Sequence, residues 1–486
     1  MEPPAIALRF RDTTVGIDTI AVHREVISRH GAVWWGWWKK SFEDDQETLF
    51  QQLNASAPVK VLIVDRLTRR MFEAIATEIR LGTKGVDPLR VPAYYRDQIT
   101  RVYGWFLLKE IRELDFKDTI ADRFGDGTFV NLRSTQHPHK EKVAVSASAP
   151  GKSSILHLSD LHFGGDYGFI QQGFEPAVGE QRRSLTECLV NDLKRLSLQD
   201  DIAAIVVTGD FTTEGDWSDG TRQAMLKEFE GLRKELGLSP EQVVAIPGNH
   251  DVVRYPAGSP ANVAAITVEA QTTYQHEREF RTFVDELVGR SWKESLNYVR
   301  RIRLSSCDIL LCILNSCTIA ATEWTEYGFV GSSGWDAIAS LRKESIERRT
   351  FKFIALHHHV LPVAEVEAPR SKGVSLTLDA SRLLEDAQVA GVHVVLHGHQ
   401  HFPKIAKYQT ISFGQPRETK PLCVVSNGST GGRRLPTGER NTYCVFKIDG
   451  DDILVWMREL KPSGREGPTL FRDHLGLEAE LPPSSS

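Results

Sequence analysis

The sequence predicts an α/β protein preceded by a separate N-terminal α+β domain, and three observations carry that prediction. The chain has 486 residues, well past the length at which a single hydrophobic core stops growing, so two domains are expected. From Ser134 to Ser154 the stretch STQHPHKEKVAVSASAPGKSS lacks a sustained apolar period, and 134–153 reads as a linker. Beyond it, short β-like runs alternate with amphipathic helical patterns, the signature of interleaved strands and helices.

In chain order, residues 1–133 form the first domain. Ile6 to Phe10 and Val59 to Val64 are strand-like, and the patterns around Arg69 to Arg80 and Trp105 to Leu114 predict helices. Val33-Trp34-Trp35-Gly36-Trp37-Trp38-Lys39-Lys40, with Tyr94 and Tyr95 further on, is its most unusual feature. Large aromatics dominate core burial, so packing is the expected role. A platform that stacks a nucleotide or holds a partner is the alternative.

After the linker, Ile155 to Ser159 predicts a strand, and Leu185, Cys188, Leu189, Leu193 and Leu196 predict a helix. Ile202 to Val207 is a strand; Met225, Phe229, Leu232 and Leu236 mark a helix; Val243 to Ile246 is a strand again. Between Asp251 and Ile309, the spacing of Phe280, Phe283, Leu287 and Tyr298 predicts a helical cap, 252–305. The basic cluster Arg300-Arg301-Ile302-Arg303 reads as a solvated helix end or strand start, with a phosphate-backbone contact as the alternative. Ile309 to Leu314, Phe351 to Leu356, Val392 to Leu396, Leu422 to Val425, Tyr443 to Ile448 and Ile453 to Trp456 predict further strands, closing a second domain over 154–460. Residues 461–486 are expected as an extension ending in a disordered Pro482-Pro483-Ser484-Ser485-Ser486.

With 41% hydrophobic and 25% charged residues, the composition is that of a globular protein. A formal charge of −5 argues against nucleic-acid binding driven by overall charge. The start Met1-Glu2-Pro3-Pro4 lacks a signal-peptide pattern, and Ile309 to Leu314 is too short to span a bilayer, so a cytoplasmic protein without a membrane partner is expected. The cysteines Cys188, Cys307, Cys312, Cys317, Cys423 and Cys444 form no C-x-x-C pair and read as reduced core residues. The sequence sets no oligomeric state.

The chemistry lies after the apolar strands of the second domain, where loops of α/β sheets bind ligands. Asp160-Leu161-His162 places a carboxylate and an imidazole one residue apart as the chain leaves a strand. Gly209-Asp210 offers a carboxylate able to bridge two cations, and Gly248-Asn249-His250-Asp251 offers an amide oxygen beside an imidazole. His357-His358-His359 and His397-Gly398-His399-Gln400-His401 close the set. Singly these are ordinary turn and surface residues; together, each behind its own strand, they read as a metal site.

The pattern D-x-H, G-D, G-N-H-D, H, G-H-x-H resembles the calcineurin-like metallophosphoesterase superfamily over 155–456. The resemblance implies a four-layer α/β/β/α sandwich with metals at the strand ends. It implies that Asp160, His162 and His401 hold one ion, that Asp210 bridges, and that Asn249, His357 and His399 hold the other. His250 is then the non-ligand histidine that contacts the scissile phosphate or protonates the leaving oxygen, with Asp251 orienting it. Many members carry proline where this chain has His359, which leaves open whether His357 or His358 is the ligand. His358 is otherwise a substrate contact, as are Asn249 and Arg254. His157, His393 and His397 are expected to be structural.

Two divalent ions about 3.5–4 Å apart turn a bridging water into hydroxide near neutral pH and neutralise phosphate oxygens. Mixed carboxylate, amide and imidazole ligands suit Mn²⁺, Fe²⁺/Fe³⁺ or Zn²⁺. The Asn249-His250-Asp251 triplet resembles phosphodiesterase and nuclease branches, and the histidine triplet with Leu361-Pro362 resembles bacterial cyclic-nucleotide phosphodiesterases. A nucleotide-type phosphodiester is therefore the expected substrate. Cleavage of DNA or RNA is the alternative, and a non-catalytic scaffold on the same fold is a third reading.

Overall fold

The computed structural model describes residues 4–482 except 11–17, 40–45, 66–67, 95, 97–98, 100–101, 125–127, 134–143, 146–150, 172–180, 254–274, 291–294, 320–321, 323–324, 364–375, 411–419 and 436–439. The chain divides into two compact units, Met1–Lys142 and Val143–Ser486. Most of the expected linker lies outside the described residues.

The first unit is built on a six-stranded mixed sheet in the order Val33–Trp37, Gly104–Leu114, Arg70–Leu81, Val59–Asp65, Ile6–Arg9, Phe129–Asn131. The helix Thr19–His30 starts where the Asp18 carboxylate accepts from the Ala21 amide at 2.9 Å and stops at Gly31, whose φ is 73°. Alternation along Val33–Trp37 sends Val33, Trp35 and Trp37 into a core with Phe50, Phe72 and Phe106. Trp34 goes to the opposite face with Val91, Val102 and Trp105. Trp34, Trp35 and Trp37 are buried, so these three pack the unit.

Two expected helices are strands. Arg70–Leu81 and Gly104–Leu114 pair antiparallel, and Arg70–Leu81 also pairs with Val59–Asp65. Their Glu, Arg and Ala content favours helix, but Met71, Phe72, Ala74, Ala76, Phe106 and Leu108 are buried between neighbours. Cross-strand ion pairs, Lys60 to Glu73 at 3.0 Å and Arg112 to Glu73 at 3.4 Å, use the charged residues. Sheet pairing outweighs a helix propensity of a few tenths of a kcal/mol per residue.

The second unit is a four-layer sandwich. One sheet runs Val243–Ala245, Ile202–Val207, Ser154–Leu158, Thr442–Asp449, Asp452–Glu459, Thr469–His474. The other runs Lys404–Tyr408, Leu422–Ser426, Val394–His397, Thr350–Ala355, Asp308–Ile313, Tyr298–Arg303, Ala144–Val145. Alternate residues of both sheets, among them Ile155, Ala204, Val206, Ile309, Leu311, Phe353 and Val394, meet in the central core. The outward residues of the first sheet pack under the helices Leu185–Arg195, Asp219–Glu235 and Arg278–Val288. Those of the second pack under Gly331–Leu341 and Ala380–Val389. Burial on both faces is why these strands read as continuous apolar runs.

Of the span expected to cap the site, 254–274 and 291–294 lie outside the described residues, and the helix Arg278–Val288 places Phe280, Phe283, Val284 and Leu287 against the outer core of the first sheet. The Arg300 and Arg301 guanidiniums are buried: Arg300 donates to the Glu241 carbonyl at 2.6 Å, and Arg301 donates to Asp308 at 3.0 Å. Neither is presented to a phosphate backbone. Within 461–486, Thr469–His474 adds an edge strand, and the Glu480 amide bonds to the Thr350 carbonyl at 2.8 Å. All six cysteines are unbridged and buried. Among the described residues no helix is long and apolar enough to cross a membrane.

Candidate metal centre

Parallel pairing of Ser154–Leu158, Ile202–Val207 and Val243–Ala245, and of Thr350–Ala355 with Val394–His397, brings the loops after their C-terminal ends together. Asp160, His162 and His401 offer ligand atoms within 4.8 Å of one another, and so do Asp210, His357 and His399. In the first group the Nε2 atoms of His162 and His401 stand 2.9 Å apart, and His401 Nε2 lies 3.4 Å from Asp160 Oδ1. In the second, Asn249 Oδ1 lies 2.9 Å from His357 Nε2 and 3.1 Å from His399 Nδ1, while Asp210 Oδ1 is 3.5 Å from His357 Nε2. Convergent carboxylate, amide and imidazole donors of this kind fit a pair of borderline divalent ions.

The backbone is strained to aim these side chains. Of the eight non-glycine residues with positive φ among those described, five are Asp160, His162, Asp210, His399 and His401. A left-handed conformation costs a non-glycine residue roughly 1–3 kcal/mol, and such residues cluster where function requires it. Gly209 has a φ of 92°, and a Cβ on it would sit 2.5 Å from His357 Nδ1. A Cβ on Gly248 would sit 2.1 Å from Asp210 Oδ1, so the two glycine-containing turns pack against each other.

Neighbouring groups fix the imidazoles. His357 Nδ1 donates to the Thr208 carbonyl at 2.7 Å, turning Nε2 toward Asn249 and Asp210. His399 Nε2 donates to the Glu326 carbonyl at 3.2 Å, turning Nδ1 toward Asn249. Such backbone acceptors set the ring orientation of metal-binding histidines. Burial lowers His162 to about 4 and His399 well below the usual histidine range. Burial disfavours the Asp160 carboxylate too, but the hydrogen bond and charge of His401 outweigh it and hold its carboxyl below the usual range. Asp160 is therefore a carboxylate, and His162 and His399 are unprotonated imidazoles, near neutral pH, the forms that bind metal.

His250 stands apart, with its side chain 26% exposed. Its Nδ1 accepts from the Glu214 amide at 3.3 Å, which leaves the proton on Nε2, 3.9 Å from Asp210 Oδ2. Asp251, expected to orient His250, does something else. Its carboxylate accepts from the Phe211, Thr212 and Gly248 amides at 3.1, 2.9 and 2.8 Å. It clamps the turn holding Asp210 to the turn holding Asn249. Burial, with the nearby Asp210 charge, pushes its carboxyl up to about 7 against the pull of those amides.

His358 is 1% exposed, and its Nδ1 lies 2.9 Å from Ser316 Oγ, while its ring packs 4.5 Å from that of His399. His357 is the histidine that joins the second group. Arg254 lies outside the described residues. His157 bonds the Thr208 hydroxyl at 2.8 Å, and burial lowers it to about 3. Burial also lowers His397 to about 4, and His393 Nδ1 accepts from the Lys352 amide at 2.9 Å. Sequence reasoning missed Thr208, Glu214, Ser316 and Glu326. Three of these four act through backbone atoms, which carry no residue-type signal.

Residues 153–403 match the calcineurin-like phosphoesterase family, and residues 6–145 match the Pua-like family. The uncharacterized metallophosphoesterase-like protein YydB of Bacillus subtilis (strain 168) is 23% identical over 231 residues, 44% of this chain and 44% of that protein. The matched stretch thus spans less than half of that relative. Among solved structures, a dimetal phosphatase from Danio rerio is 11% identical with a TM-score of 0.39, covering 66% of this chain and 99% of that one. A purple acid phosphatase from yellow lupin (Lupinus luteus) seeds is 12% identical with a TM-score of 0.40, covering 82% and 71%. With the family match spanning just over half of the sequence, the chain belongs to the calcineurin-like phosphoesterase family.

Proposed function

We propose that the protein is a metal-dependent phosphodiesterase acting on a nucleotide-type diester at this centre. The observation that carries the reading is the pair of three-residue donor groups, Asp160, His162, His401 and Asp210, His357, His399, with Asn249 Oδ1 beside His357 and His399 in the second. Asp160, His162 and His401 would hold one ion and Asn249, His357 and His399 the other, with Asp210 between them. Bound there, the ions supply Lewis acidity toward the phosphoryl oxygens and acidify a water.

The chain's own groups do the rest. The Glu214 amide fixes the His250 tautomer, so Nε2–H faces Asp210 and the site, where it can donate to a phosphoryl or leaving oxygen. The Asp251 clamp holds the Asp210 and Asn249 turns in register.

The test is hydrolysis of bis(p-nitrophenyl) phosphate beside p-nitrophenyl phosphate, with Mn²⁺, Fe²⁺ or Zn²⁺ and with chelator, for wild type and Asp210→Asn. Metal-dependent cleavage that prefers the diester, and that falls with metal content in the variant, is the expected result. Screening cyclic nucleotides against DNA then separates the nucleotide reading from nuclease activity. Metal uptake without cleavage of either ester would shift the assignment to a binding scaffold.

A further inference from the structure

The turn 427–432 follows the strand Leu422–Ser426 of the second sheet and packs on the end of Ser154–Leu158 in the first. Its root is fixed to the start of the strand Thr442–Asp449. The Gly428 amide donates to the Thr442 hydroxyl at 2.9 Å, that hydroxyl donates to Asn427 Oδ1 at 3.0 Å, and the Thr442 amide donates to the Ser429 carbonyl at 2.7 Å. From there the turn grips Ser159 and Asp160. The Thr430 amide donates to the Ser159 carbonyl at 2.7 Å, and Thr430 Oγ1 accepts from the Ser159 amide at 3.1 Å. Ser429 Oγ donates to the Asp160 carbonyl at 2.7 Å and accepts from the Gly432 amide at 2.8 Å. The Gly431 amide reaches the same Asp160 carbonyl at 3.2 Å, and a Cβ on Gly431 would stand 2.0 Å from the Leu161 carbonyl, so backbone packs on backbone between Asp160 and His162. Ser429 and Thr430 are fully buried.

Asp160 is held at a φ of 53°, a conformation that persists in a non-glycine residue only where its surroundings over-determine it. Its amide donates to the Gly209 carbonyl at 2.9 Å, a tie within the first sheet. Its carbonyl is held by the turn that comes from the second sheet, and the Ser429 hydroxyl makes the shorter of the two bonds there. Without that hydroxyl the Gly432 amide loses its acceptor, and the Asp160 peptide is free to relax out of the left-handed region. The second donor group is oriented by the Thr208 and Glu326 carbonyls and by the Asp251 clamp, none of which belongs to this turn. We propose that Ser429 is a positioning residue: its hydroxyl holds the Asp160 backbone so that the carboxylate is presented with His162 and His401, and it governs the ion of that group rather than the one at Asn249, His357 and His399. This rests on the proposed metal centre and on no choice of substrate.

Chelator-treated full-length protein is reloaded with Mn²⁺, and uptake is read by calorimetry and by electron paramagnetic resonance in wild type, Ser429→Ala, Ser429→Cys and His401→Ala. Wild type should take up two ions. Ser429→Ala should weaken one binding event about 10–100-fold, the usual effect of removing a group that supports a metal ligand, and shift the other by less than about threefold. The weakened event should be the one that His401→Ala abolishes. At two equivalents of metal, the resonance of an interacting ion pair in wild type should give way to that of an isolated ion in Ser429→Ala. Ser429→Cys, which fills the space with a weaker donor, should weaken the same event by less, and it supplies the readout if the alanine chain does not fold. Equal weakening of both events, no weakening, or weakening of the event that survives in His401→Ala would overturn the inference. A wild type that takes up two ions but cleaves no ester would overturn the phosphodiesterase reading and leave the role of Ser429 standing. One that takes up fewer than two would overturn the metal centre and this role with it.

Discussion

At the scale of single residues, the proposed ligands are more buried than His250, whose side chain is 26% exposed. Replacing His250 by Ala removes a side chain that faces Asp210 and whose Nδ1 accepts from the Glu214 amide. The expected outcome is a loss in kcat of about 10²–10⁴, the usual contribution of a positioned proton donor, with bound metal by elemental analysis unchanged. Metal loss in this variant would instead make His250 a ligand. In the first unit, His23 gives a stability prediction. It is buried, and desolvation lowers it to about 4 against a usual 6.5. It stays neutral in the folded chain while the unfolded chain takes up a proton, so its contribution is complete above about 6.5 and is lost as pH falls toward 4. The shift corresponds to about 3 kcal/mol, read as a fall in urea stability of this unit between pH 7 and pH 4. His23→Phe, which keeps a ring against Trp35 at 4.4 Å, should flatten that dependence. The donor residues were legible in the sequence because each follows an apolar strand with a diagnostic neighbour. Asp251 was misread because its neighbour in sequence, His250, is not its partner in space.

At the scale of elements, legibility followed hydrophobic period. Ile202–Val207 and the helix Leu185–Arg195 were readable because both faces of one strand and one face of one helix are buried. Arg70–Leu81 was not, because its residues favour helix and only pairing on both sides makes it a strand. The edge strands Lys404–Tyr408 and Thr469–His474 were missed since their half-exposed residues leave no apolar run. One long-range tie between elements was invisible in sequence. Asp192 on the helix Leu185–Arg195 accepts from Arg458 Nη2 at 2.8 Å and Nε at 3.0 Å, and from the Tyr443 hydroxyl at 2.7 Å. Both charged side chains are under 5% exposed. Removing one partner of such a pair leaves the other charge buried, at a cost of about 3–5 kcal/mol. Asp192→Ala should therefore lower the urea midpoint of the second unit strongly, while an Asp192→Ala, Arg458→Met double variant recovers part of the loss. An unchanged midpoint in the single variant would show that water replaces the carboxylate.

At the scale of the whole molecule, the buried clusters divide cleanly by unit. Those built on Trp35, Val64 and Trp105 draw only on residues before 143, and those of the sandwich only on residues after it. Cores that share no residue can unfold separately. All the proposed ligands belong to the second unit. Metal binding then stabilises one transition and not the other, by about 2.7 kcal/mol per site when free ion exceeds its dissociation constant a hundredfold. Calorimetry of the full chain should show two transitions, and adding chelator should lower one by several degrees while the other holds its temperature. The unmoved transition should be the one that carries the pH dependence of His23, which assigns it to Met1–Lys142 without cutting the chain. A single transition moving as a whole with chelator would mean that the two units unfold as one cooperative block, and ligation at the metal centre would then stabilise the N-terminal unit as well.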